Sequence, residues 1–221
     1  MTQQIYLAAR DQQEWPWHIR HEVLQAVDAL KKDRENFTLI DIGASHLPFN
    51  REYLTHTVDI MDTAIEGVHH FVANINRHQD WQPILDYVAE HGKFTFCNCT
   101  HTLEDLANPM LALEMMPLIA EQGFLAMPSK YNELQRREGP FRGTMHHRWI
   151  WNNENGQLIA YPKVPIIDSM TFHPYEIEIE TKAELELRMF WINDINFAIA
   201  NNDYLGPTAE AIYEIYRKLV P

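Results

Sequence analysis

The chain has 221 residues, 46% of them hydrophobic and 22% charged, with a formal net charge of −13. No apolar run approaches the roughly 20 residues needed to cross a bilayer, and so large an acidic excess has the wrong sign for a nucleic-acid backbone, which calls for a clustered basic face. A single domain over residues 1–221 is expected. The N-terminus MTQQIYLAARDQQEW shows no basic segment followed by an apolar core, so the expectation is a soluble, cytoplasmic protein.

In chain order, Trp17, Val23, Leu24, Val27 and Leu30 recur at near-helical spacing and predict a helix that ends in the solvated run KKDR at residues 31–34. Phe37 to Ile42 predicts a strand buried on both faces, and THTVDI and HHFVANI predict two more, ending at Asp59 and near Asn74. Asp80 is placed to cap a helix whose apolar positions are Trp81, Ile84, Leu85 and Val88, closing at the glycine of EHGK. FTFCNCT reads as the next strand. Asn108 and Pro109 then cap and open a helix that carries a kink or an early end at Pro117 and closes at Gly123, before the strand GFLAMP. Strands alternating with helices over residues 17–128 indicate a parallel sheet. From about Pro162 the texture changes, and EIEIETKAELELRMFWI alternates with the period of antiparallel strands. A last helix follows, with Ile212, Ile215, Tyr216 and Leu219 on one side. The expected class is α/β, a Rossmann-like doubly wound, mostly parallel sheet with antiparallel C-terminal strands. Its core lies at about 17–128, and its substrate-facing and C-terminal additions at about 129–221. The C-terminal part can complete the sheet, cover a pocket or join two copies as a homodimer, alternatives the sequence leaves open.

Cys97 and Cys99 lie one residue apart on a strand and point the same way, which disfavours a disulfide and predicts buried, reduced thiols. A doubly wound sheet binds ligands at the carboxyl ends of its strands. There Gly43 permits close backbone approach after the first strand. Asp59, 18 residues beyond Asp41, stands near the spacing at which an acid reaches ribose hydroxyls.

The stretch from about Phe37 to Pro128 resembles class I S-adenosylmethionine (SAM) dependent methyltransferases. LIDIGAS is similar to the family's first motif, VDIMD to its second-strand acid, and FVANI to the segment whose last polar side chain contacts adenine. FCNCTHTLEDLANPMLALEMMPLIAEQGFLAMP is similar to the fourth strand, acidic turn, "NP" helix and fifth strand. The resemblance implies SAM as cofactor, held by Asp41, Gly43, Ser45, Asp59, Asn74 and Thr100. The chain departs from the family in three places. One glycine stands where a glycine-rich loop is usual, Asn74 replaces an aspartate, and Glu104-Asp105 replaces a glutamate–histidine pair.

Methyl transfer to a hydroxyl needs a proton acceptor, and imidazole suits neutral pH. Among the 12 histidines, His101, after the fourth strand, and the adjacent His146 and His147 are the catalytic candidates. In GPFRGTMHHRWIW and its surroundings Lys130, Glu133, Arg142 and Arg148 are expected to bind substrate, while Trp149 and Trp151 pack beneath. Such a segment suits a small polar or glycan acceptor. His101, Glu104, Asp105 and His146 can also hold a divalent metal, which no ligand spacing specifies. The reading is therefore an O-methyltransferase, against a noncatalytic glycan-binding or scaffold protein that keeps the fold. A metal-dependent hydrolase and a nicotinamide dehydrogenase lack their signatures, HExxH and GxGxxG.

Overall fold

The computed structural model describes residues 3–8, 21–44, 51–63, 65–182, 184–200 and 209–220; Ser45 and Trp17 lie outside the described residues, as does the side chain of Ile212. Its elements in chain order are β1 (Gln3–Ala8), α1 (His21–Asp33), β2 (Leu39–Ile42), β3 (His56–Asp59), β4 (His69–Val72), α2 (Gln82–His91), β5 (Phe96–Thr100), α3 (Pro109–Ile119) and β6 (Gln122–Pro128). Then come α4 (Lys130–Leu134), β7 (Arg136–Glu138), β8 (Phe141–Arg142), β9 (Trp149–Glu154), β10 (Gln157–Pro162), α5 (Glu176–Thr181), β11 (Glu186–Ile192), β12 (Phe197–Ile199) and α6 (Ala209–Arg217).

A seven-stranded sheet has the order β1-β11-β6-β5-β2-β3-β4. The pairs from β6 to β4 are all parallel. Strand β11 runs the other way, because Asn193 after it donates to Glu121 before β6, and Ser129 after β6 donates to Leu185 before β11. The order reverses between β2 and β5, the switch point of a doubly wound sheet. This is the Rossmann-like α/β class that the sequence predicts. No helix among the described residues is long and apolar enough to cross a membrane.

The chain divides into two compact units. The first comprises residues 1–4, 11–126 and 189–195, the second residues 5–10, 127–188 and 196–221. In the first, Val23 and Val27 of α1 pack with Leu39, Leu54, Phe96, Phe124 and Ala126. In the second, Leu134, Ile150, Tyr161, Phe172 and Ile179 form a separate core with Tyr216 and Leu219.

Most predicted elements form as expected, and the departures have local causes. The Asn108 side chain caps α3 by accepting from Leu111 N, but α3 runs through Pro117 to Ile119, and the Pro117 carbonyl accepts from the Lys93 ammonium at 2.6 Å. Gly123 does not close that helix. It sits inside β6, where a Cβ would overlap the Cys97 carbonyl and lie 2.8 Å from the Trp191 ring. Asp80 falls in a 3-10 turn ahead of α2, and its carboxylate accepts from Asn74 N rather than capping the helix. EIEIET is helix α5 and not a strand: Ile177 is 75% exposed and Ile179 fully buried, whereas a strand would set both on one face. The thiols of Cys97 and Cys99 are unbridged, and burial pushes both pKa values up.

His56, on β3, is buried among His69, Phe71, Tyr87 and Phe94, its Nε2 2.9 Å from the Tyr87 hydroxyl. Burial pushes its pKa down to about 4, and His69 and His91 push the same way. The unfolded chain, with an ordinary imidazole, takes up this proton first. The stability that neutral His56 contributes is therefore complete above about pH 6.5 and is lost as pH falls from there towards 4, about 3 kcal/mol in all. Urea unfolding at a series of pH values from 7 to 4 should show that decline, with a shallower slope in His56→Gln.

Candidate functional site

In the first unit, a cavity of about 130 Å³ opens at the carboxyl ends of β2, β3 and β4, lined by Gly43, Asp59, Asn74, Asn76, Thr102 and Leu106 among others. Gly43 takes φ +72, a conformation that favours glycine, and a Cβ there would overlap the Thr102 side chain. The Thr102 hydroxyl in turn donates to the Thr100 carbonyl at 3.2 Å. The loops after β2 and β5 therefore meet without a gap. Asp59 is 8% exposed, its Oδ1 accepting from Met61 N at 2.9 Å. A carboxylate oriented by its own backbone on a cavity wall is suited to binding paired hydroxyls.

Not every predicted contact reaches this cavity. Asp41 is buried within β2, where it accepts from Asn98 Nδ2 on β5 at 2.6 Å and so joins two strands. Thr100 is half-buried and does not line the cavity. Asn74 does line it, but its Oδ1 accepts both the backbone and side-chain N–H of Asn76, each at 3.1 Å. Both lone pairs are spent, so an adenine amino group would find no acceptor there. Asn76 passes the chain on, its own Oδ1 accepting from Asn108 N at the start of α3. Ser45 lies outside the described residues.

His101 follows β5 with φ +52, and its N–H donates to the Ala126 carbonyl on β6 at 2.8 Å. Its Nδ1 lies 3.2 Å from Oε1 of Glu104, whose side chain is 1% exposed. Glu104 Oε2 is buried with no hydrogen-bond partner among the described residues.

In the second unit, Glu133 on α4 is fully buried. Its Oε1 lies 2.7 Å from His147 Nδ1 and its Oε2 2.8 Å from Lys163 Nζ, which also donates to the Thr144 carbonyl at 2.6 Å. Gly143 lies flush on it, since a Cβ there would come within 2.5 Å of Oε2 and 2.7 Å of the Glu133 backbone. Both Glu133 oxygens are thus engaged within the second unit. The His146 and His147 rings meet edge to face at 4.8 Å, and His147 is the one that lines a cavity of about 210 Å³, together with Phe141, Met145, Lys163, Val164 and Asp168.

Arg142 also lines this cavity. Its guanidinium is buried and donates to the carbonyls of Leu134, Ile167 and Met170 and to Glu176, over the face of Phe172, so its charge is spent on the protein. Arg148 is exposed. Lys130 is half-buried over the Tyr131 ring, and burial lowers its pKa against the pull of Glu178 and Glu154. Sequence reasoning missed Thr102 and Lys163, for which no motif or spacing gives a signal.

No family model matches the chain, and no curated protein does. Among solved structures it is similar to the methyltransferase domain of bacterial CtHen1-C (10% identity, covering 77% of this chain and 96% of that one, TM-score 0.42). A cyclopropane-fatty-acyl-phospholipid synthase-like protein from Lactobacillus casei (11%, 83% and 94%, 0.39) and the N-terminal domain of EvdMO1 with SAH bound (9%, 91% and 72%, 0.36) are also similar. The fold class stands on the strand order described above.

The Glu133 network gives a stability prediction. Glu133→Ala removes the buried carboxylate that pairs with the Lys163 ammonium, and removing one partner of a buried pair costs about 3–5 kcal/mol. The midpoint of urea unfolding at pH 7 should fall accordingly.

Proposed function

We propose that this chain is a SAM-dependent O-methyltransferase acting on a hydroxyl of a small polar acceptor. The carrying observation is the cavity at the switch-point end of the sheet, with the Asp59 carboxylate on its wall and Gly43 closed against Thr102. These residues fit the nucleoside half of the cofactor. Asp59 would take the ribose hydroxyls, and Ile60, Ile75 and Leu106 supply apolar surface for the base. At about 130 Å³ the cavity is smaller than the ~300–1,000 Å³ of a complete small-molecule site, so the described residues enclose one end of the ligand. Ser45, outside the described residues, is a further cofactor-binding candidate.

When bound, the cofactor supplies an electrophilic methyl group on a sulfonium. The protein's part is to hold the acceptor oxygen in line and take its proton. Three histidines are candidates, and His101 is preferred because it belongs to the same unit as the cavity and directly precedes the lining residue Thr102. His147, with Nδ1 engaged by Glu133, is the second candidate and His146 the third. Lys130 and Arg148 are the remaining acceptor-binding candidates. A carbohydrate acceptor gains little, since Arg142 is locked and Trp151 fully buried in the segment that suggested it. A divalent metal beside His101 and Glu104 is a further element of the proposal, tested by adding and chelating the ion.

Isothermal titration with SAM and S-adenosylhomocysteine tests the cofactor reading. Both should bind, and Asp59→Asn, which removes a charged acceptor, should weaken binding about tenfold to a hundredfold. No binding of either ligand by folded protein would overturn it.

A further inference from the structure

The cavity of about 210 Å³ belongs wholly to the second unit, since its lining residues fall within 141–168. Its wall is largely apolar, built from Phe141, Met145, Val164, Pro165 and Ile167. Phe141 is 42% exposed and Met145 62%, so two large apolar side chains of this wall stand in water. Covering such surface is favourable in proportion to its area, and a phenyl ring and a thioether both pack well against an aromatic ligand. An apolar cavity of about 150 Å³ holds a benzene ring. The present one is large enough for a single ring with small substituents.

Two polar groups on the same wall have hydrogen-bonding capacity left. The Lys163 ammonium has three N–H donors. One goes to Glu133 Oε2 at 2.8 Å and one to the Thr144 carbonyl at 2.6 Å, and the third meets no acceptor among the described residues although the side chain is only 8% exposed. Asp168 accepts from Arg142 N at 2.8 Å through Oδ1, and its Oδ2 meets no donor among the described residues. The charges are uneven as well. Lys163 is offset by Glu133 and Arg142 by Glu176, whereas Asp168 pairs with no cation among the described residues.

We propose that this cavity is a binding site for a small hydroxylated aromatic molecule without negative charge, a phenol that carries a second oxygen. In this site the ring packs on Phe141 and Met145, one hydroxyl donates to Asp168, and the other oxygen accepts from Lys163. A carboxylate or phosphate brings its charge against Asp168, while both cations of the wall already have counter-ions. No residue of the first unit takes part, so the site stands or falls apart from the cofactor reading.

The test uses the full chain labelled with ¹³C at its methionine methyl groups, in the absence of SAM, with 4-hydroxybenzyl alcohol as probe and 4-hydroxybenzoate as its anionic counterpart. Met145→Leu identifies the Met145 methyl signal. In wild type the alcohol should move that signal saturably with a Kd of roughly 1 mM, the scale that ~9 non-hydrogen atoms reach. The benzoate should bind about tenfold more weakly, the effect of one unfavourable charge contact near a protein surface. Asp168→Asn keeps an acceptor for Arg142 N and removes the charge, so it should bring the two affinities within about threefold of each other. Phe141→Ala, at a partly exposed position, should weaken binding of the alcohol about fivefold to tenfold. A Met145 signal that does not move or does not saturate, benzoate binding as tightly as the alcohol in wild type, or an unchanged affinity in Phe141→Ala would overturn the proposal. So would discrimination that persists in Asp168→Asn, and should that variant not fold, the wild-type comparison of alcohol and benzoate still decides.

Discussion

The contact between Gly43 and Thr102 sets the geometry of the candidate site. With no side chain and φ +72, Gly43 lets the loop after β2 lie directly under the Thr102 side chain in the loop after β5. These two strands are neighbours at the point where the sheet reverses its order. Closing the gap between their loops gives the cavity a floor, sets Asp59 on the next strand along as its wall, and fixes where the turn carrying His101 and Glu104 begins. A larger residue at position 43 would have to displace backbone or Thr102, and the turn with it. That one steric fact joins the fold to the proposed chemistry.

Around that contact the polar residues fall into two groups. One is structural: Asp41 joined to Asn98, Arg142 to three carbonyls and a carboxylate, and Glu133 to Lys163 and His147, each group satisfied by the protein. Such networks rigidify because every member has a partner. The other group lies in the first unit: Asp59 on a cavity wall and Glu104 with one oxygen that has no hydrogen-bond partner among the described residues.

Much of the first unit could be read from the amino acids because its signals are local. Asn108-Pro109 caps α3, the buried runs form parallel strands, and Asp59 lies where the strand spacing predicts. Other features were present in the sequence but open to two readings. EIEIET alternates like a strand, yet six residues are too few to separate a period of 2 from 3.6, and the burial of Ile179 decided it. Asn155-Gly156, both with positive φ in the turn between β9 and β10, is a strong hairpin signal, yet the expectation placed antiparallel structure only after Pro162. The remaining features were not local. Nothing in the segment around Arg142 says that its charge ends inside a cage of carbonyls 8 to 28 residues away in sequence, or that Lys163 will find Glu133 across 30 residues. Composition indicated a polar surface there, and tertiary contacts turned part of it into a core.

The central claim is that the switch-point cavity of the first unit receives the nucleoside end of the cofactor. The most direct measurement is amide chemical-shift mapping of the ¹⁵N-labelled chain during titration with S-adenosylhomocysteine. The account predicts saturable shifts concentrated at Gly43, Asp59, Asn76, Thr102 and Leu106. Shifts confined to residues of the second unit, or none at saturating ligand, would contradict it.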